Sequence, residues 1–415
     1  LVMALCLLRK LPQLAARQHP GCLLPAMFCS TSSAGNDPDI VLSRRGCAGV
    51  IELNRPKALN ALSLPMVRAM HPRLLDWEAD PEVAVVLIKP APGSGKAFCA
   101  GGDIRAIADD CVSARSAETG AGSGRAGGSL SRDFFREEYA LNHAIGTYKK
   151  PYVAFIDGIT MGGGVGLSVH GDYRVATERT VFAMPETNIG FFPDVGGGFF
   201  LPRLHAQIGV YLALTGHRLS GEDVKKCGIA SHFVNSEQLA ELEERLCGGE
   251  WLTKEDSFGT VSRLSELLQQ FEACSSLDMR VPFSLNRHMA DIERHFRHDT
   301  MPQVVASLSS DPSSWAAAQL ETLRKMSPTS LRVTLRQLRL GMHLNLAGVL
   351  KMEYRISQRF MTNHDFVEGV RAALVERRQP VWRPASVEEV SDEAVDEYFA
   401  PLPPDRELQL DTKRV

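Results

Sequence analysis

Two glycine clusters carry the residues of this sequence best suited to chemistry. They are Cys99-Ala100-Gly101-Gly102-Asp103-Ile104 and Met161-Gly162-Gly163-Gly164-Val165-Gly166, and each follows a predicted strand. Glycine lets a backbone approach a ligand closely and adopt positive φ. The second cluster runs into Leu167-Ser168-Val169-His170, read here as a helix whose N-terminus offers free N–H groups and the positive end of its dipole. Two such N–H groups converging from separate loops would form an oxyanion hole. Taken singly, each cluster reads as a tight turn. Neither matches a P-loop or a dinucleotide-binding fingerprint. His170, inside the expected helix, reads as structural, and Cys99 has no neighbouring histidine to make it a nucleophile.

The elements that must position these turns are legible around them. Ile40 to Leu42 and Val50 to Leu53 flank Arg44-Arg45-Gly46 and read as a β-hairpin. Ser63 then stands as an N-cap before Pro65, with Met66, Met70, Leu74 and Trp77 on one helical stripe. Val83 to Ile88 and Tyr152 to Ile156 are buried-strand runs, separated by a helix carrying Phe135, Tyr139 and Asn142 that ends before Pro151. Strands alternating with helices imply βαβ units with right-handed crossovers. The Gly-, Ser- and Ala-rich stretch from Cys111 to Ser131 reads as a flexible surface loop. From about Ser236 the composition turns helical, with stripes at Leu239, Leu242 and Leu246 and at Leu264, Leu267 and Leu268, then blocks over 330–340 and around Phe366 to Val375. The expected organisation is a catalytic core over 37–235, a helical region over 236–385 and a peripheral tail over 386–415.

Composition removes several classes. At 415 residues, 44% hydrophobic and 23% charged with a net charge of -3, the chain is an ordinary globular protein without the basic stripe of a nucleic-acid binder. No segment approaches the ~18 consecutive apolar residues of a membrane span. Nine scattered cysteines without a CxxC pair indicate neither a zinc site nor a disulfide framework. Residues 1–36 contain no Asp or Glu, yet hold Arg9, Lys10, Arg17 and a Ser/Thr cluster, as a mitochondrial presequence does. A secretory signal is the rival reading, but its apolar run should follow the basic residues and here precedes them.

Taken in order, the motifs resemble the crotonase (enoyl-CoA hydratase/isomerase) superfamily. The resemblance runs from Asn54-Arg55-Pro56-Lys57-Ala58-Leu59-Asn60 through Ala97 to Ile104, Pro151-Tyr152 to Gly158, the triple glycine and Met184-Pro185-Glu186. It ends in Asp365-Phe366-Val367-Glu368-Gly369-Val370-Arg371-Ala372. It implies an α/β fold, the crotonase-type β-spiral of repeated ββα units in two sheets, with a C-terminal helical region. Members of the family usually assemble through that region into trimers or dimers of trimers, so a homo-oligomer is an option that the sequence leaves open. The resemblance also implies a small-molecule acyl-CoA substrate and no separate cofactor or metal, CoA being part of the substrate. Gly102 and Gly163 would supply the oxyanion hole. Lys57, Ala58, Ala100, Asp103 and Ile104 would lie along CoA, and Arg105 would reach its phosphates.

One departure from the hydratase pattern decides the expected reaction. Hydratases share Glu186 but carry a second glutamate where this chain has Gly166, and hydration needs acid–base groups paired around the same carbons. In exchange, Phe191-Phe192-Pro193-Asp194-Val195-Gly196-Gly197-Gly198 places an acid where hydratases have glycine. That arrangement, with Phe134-Phe135-Arg136-Glu137-Glu138-Tyr139 and Lys325-Met326-Ser327-Pro328-Thr329-Ser330, resembles a thioester-hydrolysing branch of the superfamily. There Glu186 would be nucleophile or general base, and Asp194 its partner. Glu138 and Gly163 would join both acids in binding substrate. The plainer alternatives are solvated charges for Lys57, Arg105, Glu138 and Glu186, and a helix cap for Asp194.

Overall fold

The computed structural model describes residues 39–118, 128–252, 257–275 and 282–411. The acid-free first 36 residues, read as a presequence, lie outside them. Strand β1 (Ile40–Arg45) pairs antiparallel with β2 (Ala48–Leu53), so Gly46 and Cys47 turn the hairpin, Gly46 at φ +55°. The helix Leu64–Ala79 follows, with Ser63 at its N-cap and Met66, Met70, Leu74 and Trp77 buried.

The remaining strands are β3 (Val85–Pro90), β4 (Ala97–Cys99), β5 (Tyr152–Ile156), β6 (Ile159–Met161), β7 (Tyr173–Ala176), β8 (Val181–Ala183), β9 (Leu219–Ser220) and β10 (His232–Phe233). They form a six-stranded sheet, β1-β2-β3-β5-β7-β10, and a four-stranded sheet, β4-β6-β8-β9. The pairs β3–β4, β5–β6 and β7–β8 each lay one strand in each sheet before the chain passes into a helix or helical turn, which is the ββα repeat. In the larger sheet the side chains alternate between two cores. Val50, Val85, Leu87, Val153 and Phe155 meet the helical stripes Leu242, Leu246, Leu264, Leu267 and Leu268, whereas Ile51, Val86, Ile88 and Ala154 face the main core. This period of two is the pleat itself.

The smaller sheet positions the chemistry. Strands β4, β6 and β8 are parallel neighbours, so the turns that leave their C-terminal ends lie side by side. Those turns are Ala100-Gly101-Gly102, Gly162-Gly163 and Pro185-Glu186. Their adjacency follows from the sheet order alone.

Three expectations are corrected. The helix Ile104–Glu118 extends well into the stretch expected to be loop, and the next helix already begins at Ser129; residues 119–127 lie outside the described set. Behind the triple glycine only Gly163–Gly166 is helical, and Leu167 to His170 form turns. The tail is not peripheral: Val390, Val395, Tyr398 and Leu408 are buried, and its helix Asp392–Phe399 packs on the helices Pro328–Gly341 and Leu346–Phe360. Apolar residues spaced through an otherwise charged segment give it a face to bury.

Candidate active site

The three glycine and acid turns open onto one cavity of about 100 Å³. Its walls include Ala100, Gly101, Gly102, Ile104, Glu138, Gly163, Glu186 and Asp194, with Phe134, Phe135 and Phe191 closing its apolar side. Gly162 takes φ +46° and ψ −119°, a conformation open essentially to glycine. It starts the short helix at Gly163, whose N–H, first of the helix, has no intrahelical partner. Neither this N–H nor that of Gly102 donates to another protein atom among the described residues. A Cβ placed on Gly163 would lie 3.3 Å from the Gly102 nitrogen, so the two N–H groups belong to one small volume. That volume can hold an oxyanion.

Three carboxyl groups share the cavity. Glu186 opens the 3-10 turn Glu186–Ile189, and its Oε2 is buried without a hydrogen-bond partner. Glu138, on the helix Ser129–Gly146, is 1% exposed, so the surface-charge reading fails; its Oε1 is likewise unpartnered and lies beside Gly163. Asp194 follows Pro193, and its Oδ2 accepts a 2.8 Å hydrogen bond from the Tyr139 hydroxyl. It does not cap the helix Gly197–Phe200, whose N-cap is Gly196. Burial raises all three above the ordinary carboxylate range. Glu138 and Glu186 rise well above it, with the Asp194 charge adding to the effect. Asp194 is pushed up to about 7 by burial and held back by the Tyr139 hydroxyl. Three raised carboxyls in one dry cavity do not all carry charge at once, a division that yields an acid and a base in one site.

The bond from Tyr139 to Asp194 has a measurable consequence. Tyr139→Phe removes the donor that favours the charged Asp194, so the Asp194 carboxyl rises further. Any activity that requires the carboxylate is then expected to gain strength at higher pH than in the parent. A pH–rate profile reads this directly, and an unmoved lower limb would exclude Asp194 as the group titrating there.

Other residues singled out from the sequence fall into place around the cavity. Lys57 and Ala58 form the turn Pro56–Ala58, which docks on the Ala100 loop through the hydrogen bond from Ala100 N–H to the Leu59 carbonyl. Lys57 and Arg105 are exposed and, like Ala58 and Asp103, do not line the cavity. Asp103 commits its carboxylate to Arg55 at 2.8 Å and to the Ala106 N–H. The Cys99 thiol is pushed up to about 12 by burial, which suits no nucleophile. His170 is pushed down to about 4 by burial, and its Nε2–H donates to the Val195 carbonyl at 2.7 Å. Tyr139 is the site residue whose contact the sequence did not announce. Its helical spacing marks it only as core.

Residues 48–399 match the model of the family described as "Enoyl-CoA hydratase/isomerase". The chain belongs to that family. Among its relatives is the mitochondrial 3-hydroxyisobutyryl-CoA hydrolase of Gallus gallus, 54% identical over 366 residues, 88% of this chain and 89% of the relative. The protein of the same name from Xenopus laevis is 52% identical over 375 residues, 90% of this chain and 91% of the relative. Of solved structures, a carnitinyl-CoA dehydratase from Mycobacterium thermoresistibile superposes with a TM-score of 0.77 at 35% identity, covering 91% of this chain and 100% of that one. At Gly166, where the resemblance to hydratases implies their second glutamate, the structure leaves no room for a side chain. A Cβ there would lie 2.7 Å from the Val195 Cβ and 2.8 Å from the Asn142 Nδ2. That space is filled by Val195, on the turn that carries Asp194, and by Asn142.

Proposed function

We propose that this chain hydrolyses the thioester of 3-hydroxyisobutyryl-CoA, releasing the free hydroxy acid and CoA in valine catabolism. The observation that carries the reading is the pairing of a two-donor glycine hole with Glu186 and Asp194, while Gly166 is sealed against a second hydratase acid. The thioester carbonyl sits between the N–H groups of Gly102 and Gly163, which favour the tetrahedral oxyanion over the planar ground state. Glu186 attacks the carbonyl carbon or takes a proton from the attacking water. Asp194 serves the substrate hydroxyl, the water or the second step, and Glu138 closes the pocket beside the hole. Ala100 and Ile104 at the cavity wall, with Lys57, Ala58, Asp103 and Arg105 beyond it, form the approach for CoA. The relatives are named mitochondrial, and the acid-free, basic start of this chain supports the same location.

The protein is expected to release free thiol from 3-hydroxyisobutyryl-CoA and to leave the double bond of crotonyl-CoA unhydrated. Thiol titration and the absorbance of the enoyl thioester follow the two reactions in parallel. Hydration without thiol release would replace this reading with that of a hydratase. Binding of CoA without either reaction would make the chain a binding protein on the same scaffold. 3-Hydroxypropionyl-CoA, one methyl smaller, is expected to be a slower substrate by only ~1–3 kcal/mol of discrimination, the span an apolar pocket provides for such a group.

A further inference from the structure

The turn Pro193–Gly198 that presents Asp194 is held by side chains that never reach the cavity. Val195 has φ +51°, a left-handed conformation that a β-branched residue keeps only when its surroundings impose it. Four backbone groups of this turn are bound from outside it. The Pro193 carbonyl accepts from the Gln337 Nε2 at 2.8 Å, and the Val195 carbonyl accepts from the His170 Nε2–H at 2.7 Å. The N–H groups of Gly196 and Gly198 donate to the two carboxylate oxygens of Glu353 at 2.7 and 2.9 Å. Gln337 also donates to Glu353 at 2.8 Å, which locks the two side chains together. Glu353 and Gln337 come from the helices Leu346–Phe360 and Pro328–Gly341 and are both fully buried. An acid buried this deeply is a poor source of stability compared with an apolar side chain.

We propose that Glu353, supported by Gln337 and His170, is a positioning residue for the reaction: it holds the Val195 turn in the one conformation that aims Asp194 into the cavity. The proposal rests on Asp194 acting in thioester hydrolysis. Glu353 contributes through its two oxygens at once, one for each glycine N–H. A glutamine at this place keeps the shape but turns an NH₂ group towards a donor, so the turn relaxes and the Asp194 carboxylate shifts.

The test is a double-mutant cycle on the full chain, read as kcat for thiol release, Kd for CoA and melting temperature. Glu353→Gln is expected to lower kcat by about 10- to 100-fold, the scale of a misplacement near 1 Å, with the Kd for CoA unchanged. In the Asp194→Asn background the same substitution is expected to cost nothing further, because its effect passes through Asp194. Gln337→Leu, close in volume, is expected to show the same dependence on Asp194 with a smaller loss, and it carries the test if Glu353→Gln does not fold. Full kcat in both variants, or an undiminished further loss in the Asp194→Asn background, would overturn the positioning role. If Asp194→Asn alone retains full activity, the catalytic reading of Asp194 fails instead, and the two failures are told apart within one experiment.

Discussion

Glu186→Gln is expected to lower kcat for thiol release by about 10²- to 10⁴-fold, the range that a positioned proton-transfer group supplies. Binding of CoA should persist, since the proposed approach for CoA runs along other residues and Glu186 lies beside the glycine turn. The substitution preserves volume and removes only the capacity to take a proton or to attack carbon. Stability should not suffer. The carboxyl is buried, unpartnered at Oε2 and raised well above its ordinary range, so a neutral amide replaces a group that folding already pushes towards neutrality. A variant that folds, binds CoA and hydrolyses at the parental rate would remove Glu186 from the reaction. A single turnover in ¹⁸O-labelled water then tests the nucleophilic role in the parent protein. Label in the Glu186 peptide marks an acyl anhydride opened at the enzyme's carbonyl, whereas label in the released acid alone marks attack by water at the substrate carbonyl, on the thioester or on the anhydride.

Gly163→Ala is expected to be nearly as damaging for a different reason. The added methyl would stand 3.3 Å from the Gly102 nitrogen and 2.8 Å from Glu138 Oε1, inside the volume where the proposed reaction puts the thioester oxygen. Loss of one oxyanion-hole donor typically costs about 10²- to 10³-fold in kcat, and this alanine obstructs access to both. The backbone can accept it, because Gly163 is not in the left-handed region and begins a helix. The expected result is a folded protein with a lowered melting temperature, retained affinity for free CoA and a collapse of kcat. Parental kcat in that variant would place the reacting carbonyl elsewhere.

The two predictions differ in how far they were visible beforehand. The glycine turn and Glu186 stand in local motifs, so their chemistry was readable from residue type and order. So were the hairpin, the stripe from Met66 to Trp77 and the strand Tyr152–Ile156, because their periodicity reports which face is buried. Composition misled at 111–118, where the Gly, Ser and Ala content of the stretch from Cys111 to Ser131 suggested a loop and the helix Ile104–Glu118 continues. It misled again in the tail, where prolines and charges hid apolar residues that pack on two helices. The causes differ: at 111–118 alanine, arginine and glutamate are themselves good helix formers, whereas in the tail tertiary contacts override weak local preference.

By itself, the sequence determined the repeat of strands and helices, the glycine turns, the exchange of an acid at 166 for one at 194, and hence the family and the expected reaction. Only the tertiary structure decided that Glu138 is buried beside the hole, that the Tyr139 hydroxyl donates to Asp194, and that Val195 and Asn142 fill the space a side chain at 166 would need. The bond from Tyr139 to Asp194 spans 55 residues, and those from Glu353 to the Asp194 turn span 155 and 157. Periodicity and motif spacing encode what a residue does within a few positions of itself. Which distant carboxyl receives a hydrogen bond, and which is left dry and unpartnered, is set by how the smaller sheet aligns its three turns and how the C-terminal helices close over them.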